Sequence, residues 1–191
     1  MKLVINLVLA LAVVLLAGFL IKDINEPIEF KAQKDQREAA VVDQLKEIRK
    51  AQLAYRGITG EYAPTFDTLR QVLTTDSFQI VKIFGNPDDD NAEIKKEIAY
   101  VLAKDSITRM GLVLEDIEKV PFGEGKTFQM EAMVIDYKST KVPVVEVKTP
   151  IRDYMGKYAE PRYMRYDNKF DPNLARKFGD LTKPSTAGNW E

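Results

Sequence analysis

The sequence predicts an α+β protein with a transmembrane helix at its N-terminus, a long amphipathic helix, and a small, mostly antiparallel sheet packed on that helix. Three observations support this prediction. Residues 3–21 contain no charged side chain. Residues 29–56 contain neither proline nor glycine, and their apolar positions recur at intervals of three and four. Beyond residue 76, short segments alternate apolar and polar residues with the period of a β-strand.

The apolar run at residues 3–21 is long enough to cross a bilayer. As a helix it extends for about 28 Å, close to the thickness of the hydrocarbon layer. A cleaved signal peptide is the alternative, but its apolar region usually covers about 7–15 residues and ends in a small-x-small site. Residues 17–21 lack such a site. The sequence therefore favours a retained signal-anchor over residues 1–22.

The orientation of this anchor is predicted from two opposing features. Basic residues are more frequent after the span, at Lys22, Lys31, Lys34 and Arg37, which favours a cytoplasmic domain. The short tail of Met1 and Lys2 is instead typical of a signal-anchor whose remaining chain is exported. We expect a single-pass inner-membrane protein with a periplasmic domain.

The long helix is expected to begin after a break at residues 24–27, because Pro27 disfavours the helical conformation of the residue before it. Residues 23–40 are mostly polar and are predicted to form a stalk at the start of this helix. If helical, residues 30–40 would raise the domain by up to roughly 15 Å. Gly57 is expected to end the helix as a C′ glycine. Val41, Leu45, Ile48, Gln52 and Tyr55 recur at intervals of three and four, and the stripe of Val41, Leu45, Ile48 and Tyr55 is expected to form the core against the sheet.

The soluble domain is assigned to residues 41–180. Its second helix should carry Leu69, Val72 and Leu73 and be capped by Thr65 or Asp67. A strand is predicted at residues 78–84, ending at a turn over residues 85–87.

The clearest hairpin joins residues 128–135 to residues 142–147 through a turn at residues 138–140. The composition of residues 173–177 favours a short helix. Residues 181–191 form a tail rich in Pro, Ser, Thr and Gly.

Composition excludes several classes of function. The chain has no histidine and no cysteine, so it has no Ser-His-Asp triad, no thiol nucleophile and no zinc site of the usual ligands. Its 28 basic and 29 acidic residues are interspersed, which leaves no basic footprint for nucleic acid. We expect a protein that is not an enzyme and that holds no cofactor or metal.

One aromatic and basic segment is a candidate interaction surface for a glycan or a peptide. The alternative is that its rings are half-buried and that its charged side chains snorkel to solvent. The tryptophan near the C-terminus is expected either to dock on the domain or to contact a partner, and we favour docking. The candidate residues are Arg152, Tyr154, Tyr158, Arg162, Tyr163, Arg165, Tyr166 and Trp190.

Two acidic segments resemble functional sites less closely. Residues 86–93 are rich in oxygen ligands, but Glu93 and Ala99 stand where an EF-hand loop requires Gly and Glu. Glu115, Asp116 and Glu118 contain the carboxylates that glycoside hydrolysis requires. Solvated acidic loops are the favoured interpretation of both.

The end of the long helix resembles a known family. Tyr55, followed by Gly60, Tyr62 and Pro64 and then a second helix, is similar to the corresponding region of type IV pilin-like proteins, especially the major pseudopilins of type II secretion. The resemblance covers roughly residues 1–73 and implies a filament subunit. The chain lacks the family's peptidase site, and Ile5 stands near the position of its glutamate. This departure disfavours filament assembly by the usual route.

The whole layout is also similar to a group of single-pass envelope proteins of Bacteroidetes. The segments that carry this resemblance are residues 45–52, 66–69, 141–144 and 187–191. It implies a location and a layout, and it implies no activity.

Taken together, these features predict a membrane-anchored structural or adaptor protein of the bacterial cell envelope with an exported pilin-like domain. The alternatives are a pseudopilin-like filament subunit and an envelope glycan- or peptide-binding module. The expected partners are the membrane and either another protein or further copies of the chain, and no nucleic acid.

Overall fold

The α+β class is confirmed by the computed structural model, which describes residues 1–84 and 95–191. Three strands, at residues 129–137, 140–150 and 175–179, form an antiparallel sheet in that order, and residues 77–84 pair with residues 95–102 in a separate antiparallel ribbon. The turn predicted at residues 85–87 lies outside the described residues. The elements are α1 (Lys2–Thr59), α2 (Phe66–Thr75), β1 (Ser77–Phe84), β2 (Lys95–Leu102), α3 (Ala103–Arg109), β3 (Gln129–Tyr137), β4 (Thr140–Pro150), α4 (Ile151–Met155), 3₁₀ turns at Gly156–Ala159 and Pro161–Arg165, and β5 (Ala175–Gly179).

Helix α1 is continuous over 58 residues, with Pro27 inside it. The predicted break at residues 24–27 is therefore wrong. Proline in a helix interior removes a backbone hydrogen bond and costs about 3 kcal/mol or more. Contacts on either side of Pro27 offset this cost, because Glu26 is held by side chains of the domain and Phe30 is buried.

The N-terminal part of α1 meets the length and composition required to cross a membrane. A signal sequence passes the same test. The helix of a soluble core passes it too, but such a helix is mostly buried, whereas none of this apolar window is buried. Residues 4–21 are exposed along the entire run, which suits a lipid environment and is costly in water.

Helix α1 ends three residues later than predicted. Gly60, not Gly57, adopts the left-handed conformation, with φ 84°, and its N–H donates to the carbonyl oxygen of Arg56 at 2.8 Å. Buried Gln52 explains the position of this end. Its amide binds both the N–H and the carbonyl of Ala63, at 2.9 and 3.0 Å, which fixes where the returning chain must lie.

The predicted stripe forms the core. Val41, Leu45 and Ile48 are completely buried, and they belong to one apolar cluster with Val145 and Phe178 of the sheet. The second helix is also confirmed. Thr65 caps it by accepting the Thr68 N–H at 3.2 Å, and Leu69 and Leu73 face the core.

The hairpin predicted around residues 138–140 is confirmed as β3 and β4. Lys138 and Ser139 have φ values of 49° and 63°, which is the conformation of a two-residue hairpin turn whose twist matches its strands. The helix predicted at residues 173–177 is wrong, since β5 occupies this region and pairs with β4. The ladder hydrogen bonds and the burial of Phe178 override a local helix preference.

Candidate interaction surface

The segment that contains the candidate tyrosines packs on residues 26–38 of α1, which follow the apolar run. Phe30 is 1% exposed and lies at the centre of an aromatic cluster. Its ring is nearly parallel to that of Tyr163, with centroids 4.9 Å apart, and meets Phe170 edge-on at 5.1 Å. Tyr158 and Tyr166 complete the cluster at 6.4 and 6.2 Å. Such contacts add to the burial energy of the rings.

This packing contradicts the predicted stalk at residues 23–40. One face of that segment belongs to the domain, because Phe30 is buried and Lys34 donates to Asp167 at 2.5 Å. The core therefore extends about three helical turns closer to the apolar N-terminal run than the boundary at residue 41 implied. The polar composition of the segment reflects ion pairs with the domain and not isolation from it.

Glu26 is the acceptor that joins α1 to the 3₁₀ turn at Pro161–Arg165. Its carboxylate lies 3.0 Å from Arg162 and 3.4 Å from Arg165, and it accepts the Tyr166 hydroxyl at 3.0 Å. The Glu26 side chain is 16% exposed, so water screens these contacts less than it would on an open surface. The arrangement ties the end of this turn to the helix immediately above the span.

A second junction lies one turn further along α1, at Glu29. The Tyr158 hydroxyl donates to its carboxylate, and the Lys157 ammonium lies 3.6 Å away. The hydrogen bond from Tyr158 and, secondly, the charge of Lys157 lower the pKa of Glu29. Glu29 is therefore ionised throughout the neutral range and remains able to accept both contacts.

Above these junctions, α1 contacts the buried side of α4. Arg37 donates to the carbonyl oxygen of Tyr154 at 2.8 Å, and its guanidinium lies over the rings of Phe122 and Tyr158. Glu38 pairs with Arg176 of β5. Burial raises the pKa of the Tyr154 hydroxyl, and the nearby Glu38 carboxylate adds to this effect. Tyr154 is consequently neutral and structural.

The structure separates the candidate residues into two groups. Tyr154, Tyr158 and Tyr163 are buried, so their rings are inaccessible to a glycan or a peptide. Arg152, Arg162 and Arg165 are exposed, and Tyr166 is half-buried. The predicted aromatic and cationic surface is therefore mainly the inner face of a packed segment. The arginine side chains on its outer face remain accessible.

Trp190 lies apart from the other candidates, at the far end of the domain, and is half-buried against the core. The Arg49 guanidinium lies 5.8 Å from its ring centre and also pairs with Glu191 at 2.6 Å. Asn189 donates to the carbonyl of Ala175 at 2.8 Å, which attaches the tail to β5. The C-terminal residues are thus docked on α1 and on the sheet, as favoured above.

The acidic segments provide no converging site among the described residues. Glu118 pairs with Arg70 at 2.6 Å and Asp116 with Lys119 at 2.8 Å. Within residues 1–84 and 95–191, no group of three or more potential metal-ligating side chains comes together. The oxygen-rich loop at residues 86–93 lies in the part of the chain that is not described.

Sequence reasoning missed Glu26, Phe30, Lys34 and Arg37, although a periodic pattern could have revealed them. Phe30 precedes Val41 by about three helical turns, so it lies on the same face as the core stripe. That face comprises Glu26, Phe30, Lys34 and Arg37, which are separated by four, four and three residues. Charged residues at these positions concealed a buried face, because their partners lie far away in the sequence.

Comparison of the chain with protein-family models, curated proteins and solved structures finds no match.

Proposed function

We propose that this protein is a non-catalytic structural or adaptor protein of the bacterial cell envelope, anchored by a single membrane span and carrying an exported pilin-like domain. In this proposal it is related to the pilin-like and Bacteroidetes envelope proteins that its sequence resembles. The inner membrane is its location and the periplasm is the compartment of its domain.

One observation carries the proposal: the helix that is apolar enough to cross a membrane is the same helix that forms the core of the domain. Residues 4–21 are exposed, whereas Phe30, Val41 and Leu45 of the continuous α1 are buried. Because the two parts are one continuous helix, the domain follows the apolar run without an intervening loop. Direct attachment of this kind suits a scaffold or an adaptor.

The side-chain chemistry is consistent with a role that is not catalytic. The chain has no histidine or cysteine, and the carboxylates noted as candidates for hydrolysis are held in ion pairs. The half-buried ionisable groups near α1 serve as contacts between elements. Glu38, for example, is paired with Arg176.

Membrane integration and topology can be tested in one experiment. The full chain is expressed in a bacterial host with alkaline phosphatase or green fluorescent protein at its C-terminus. We expect the phosphatase fusion to be active and the green fluorescent protein fusion to be non-fluorescent. The protein should resist carbonate extraction, and its intact mass should include residues 1–21. Loss of those residues from the mature protein would show a cleaved signal sequence and overturn the anchor.

A charge placed in the span provides the matched variant. Leu11→Arg should cost about 3 kcal/mol of insertion free energy and release the protein from the membrane fraction. Leu53→Arg, on the exposed domain part of the same helix, should leave integration unchanged. Equal loss of both variants from membranes would indicate misfolding and not failure of the span.

A filament subunit is the second candidate, and the continuous α1 favours it because an exposed apolar half-helix can pack against further copies. Crosslinking of native membranes followed by electrophoresis tests this candidate. A ladder of homopolymers would support the filament subunit, whereas a single monomer band would refute it and leave the adaptor as the remaining candidate. The glycan- or peptide-binding alternative is disfavoured, because the rings it requires are buried.

A further inference from the structure

A cavity of about 550 Å³ lies beside α1, directly above the span. Its apolar wall is formed by Pro27, Ile28, Phe30 and Tyr166, and its polar wall is formed by Asp167 and by lysines of α1 and of the chain after the 3₁₀ turn. The lysines are Lys31, Lys34 and Lys169. A mixed lining of this kind can hold a molecule that has both a charged and an apolar part.

The charges of this cavity do not cancel. The Asp167 carboxylate accepts the Lys34 ammonium at 2.5 Å with one oxygen and the backbone N–H of Lys169 at 2.9 Å with the other. The hydrogen bonds from the Lys34 side chain and from the Lys169 backbone lower its pKa, so this carboxylate is ionised at neutral pH. Among the described residues, no carboxylate pairs with the ammonium groups of Lys31 and Lys169. The lining therefore carries net positive charge.

The position of the cavity relative to the bilayer follows from the continuity of α1. Pro27 lies about 9 Å along the axis beyond Ile21, and the headgroup layer extends roughly 5–8 Å beyond the hydrocarbon. Ile24 and Ile28 are 56% and 64% exposed, which extends an apolar face of α1 toward the cavity. A common helix tilt of about 20° would lower that face, and the long stem of Lys31 lets its ammonium reach down.

We propose that this cavity binds the phosphate-bearing headgroup of an anionic phospholipid from the surrounding bilayer. Lys31 and Lys169 reach down to contact the phosphate, while Ile28 and Pro27 lie against the apolar part of the headgroup region. The inference rests on the proposed membrane anchor, since the anchor is what places the cavity just above the headgroup layer. A bound headgroup would fix the rotation of α1 about its axis and hence the face that the domain presents.

The test uses the full chain in a mild detergent, titrated with dioctanoyl phosphatidylglycerol or dioctanoyl phosphatidylcholine and followed by native mass spectrometry. We expect tighter binding of phosphatidylglycerol. Lys31→Gln and Lys169→Gln should each weaken it about fivefold, the contribution of one lysine near an anionic surface. Lys50→Gln removes the same charge from an exposed position of α1 far beyond the apolar run and should leave binding unchanged.

Other results would overturn the proposal. Equal binding of the two lipids, or undiminished binding by the Lys31→Gln/Lys169→Gln double variant, would exclude a headgroup site here. Inorganic phosphate that binds as tightly as the lipid and displaces it would show a site for free phosphate instead. If the double variant unfolds at the same temperature as the wild type, its loss of lipid binding is due to the site and not to misfolding.

Flotation with carbonate-washed vesicles separates this inference from the proposal on which it rests. A chain that floats but shows no lipid preference would refute the headgroup site and leave the anchor standing. A chain that does not float would refute the anchor. It would also remove the reason to expect a bilayer lipid in this cavity.

Discussion

The ring of Phe30 lies almost parallel to that of Tyr163, with centroids 4.9 Å apart and an angle of 9° between the planes. Phe30 belongs to a segment of α1 that is otherwise mostly polar, and Tyr163 belongs to a 3₁₀ turn distant in sequence. Their contact attaches the C-terminal part of the domain to the helix just above the span. The attachment of this C-terminal segment to α1 depends largely on this cluster.

Phe30→Ala should therefore destabilise the domain strongly. We expect a loss of about 3–5 kcal/mol in the free energy of unfolding, because a fully buried ring leaves a cavity. Urea unfolding of the full chain in detergent, followed by near-ultraviolet circular dichroism, measures the loss. Ile28→Ala, at an exposed position of the same turn, serves as the control and should change stability by less than about 0.5 kcal/mol.

Gln52→Ala should lower stability because it leaves two backbone groups of Ala63 without partners. Each unsatisfied buried group costs about 1–3 kcal/mol. Gln52→Glu can still accept the Ala63 N–H but cannot donate to the carbonyl, so it separates the two contributions. Gln36→Ala, on the exposed face of α1, should be nearly neutral. Equal unfolding midpoints for the Gln52 and Gln36 variants would contradict the role assigned to Gln52.

Gly179→Ala should be among the most damaging single substitutions. Gly179 has φ 84°, and an added Cβ would lie 1.9 Å from the carbonyl oxygen of Val145. Both β4 and β5 must move to admit it, at a cost of roughly 3 kcal/mol or more. Gly125 also has a positive φ but has open space around it, so Gly125→Ala measures the backbone strain alone. The difference between the two unfolding free energies isolates the steric clash.

Glu146 should make stability depend on pH. Burial raises the pKa of this carboxyl, but hydrogen bonds from Lys148 and Lys177, at 2.8 and 2.6 Å, outweigh burial and lower the pKa below its usual 4.5. Its stabilisation is therefore present above pH 4.5 and is lost as the pH falls through the lowered value.

Glu146→Gln should cost about 2 kcal/mol at neutral pH and progressively less in acid. Unfolding in urea at a series of pH values measures both effects. The exposed Glu61→Gln should show neither a loss of stability at neutral pH nor a change of that loss with pH. A cost for Glu146→Gln that stays constant down to strongly acidic pH would refute the assignment.

The sequence anticipated the features that depend on local pattern. Val41, Leu45 and Ile48 were placed in the core because their spacing repeats with the helix period, and they are buried. The hairpin at Lys138 and Ser139 was predicted because a polar turn joins two alternating segments. Such patterns predict structure because a helix or strand that buries one face places apolar residues at the period of that element.

Local pattern failed where distant partners decided the outcome. Pro27 and the polar residues after it indicated a break and a stalk, yet Glu26 and Phe30 bind a segment more than a hundred positions later. The composition of residues 173–177 favoured a helix, but pairing with β4 made a strand.

By itself, the sequence determined that the protein has an apolar N-terminal run of membrane-spanning length, a long helix with a buried stripe, and no histidine or cysteine for the usual catalytic sites. The tertiary structure alone decided that the run and the core belong to one continuous helix, and that Tyr154, Tyr158 and Tyr163 are buried in the domain. The physical reason is that burial and ion pairing are properties of pairs of groups. A sequence records Glu26, Lys34 and Glu38 but not the partners that neutralise them.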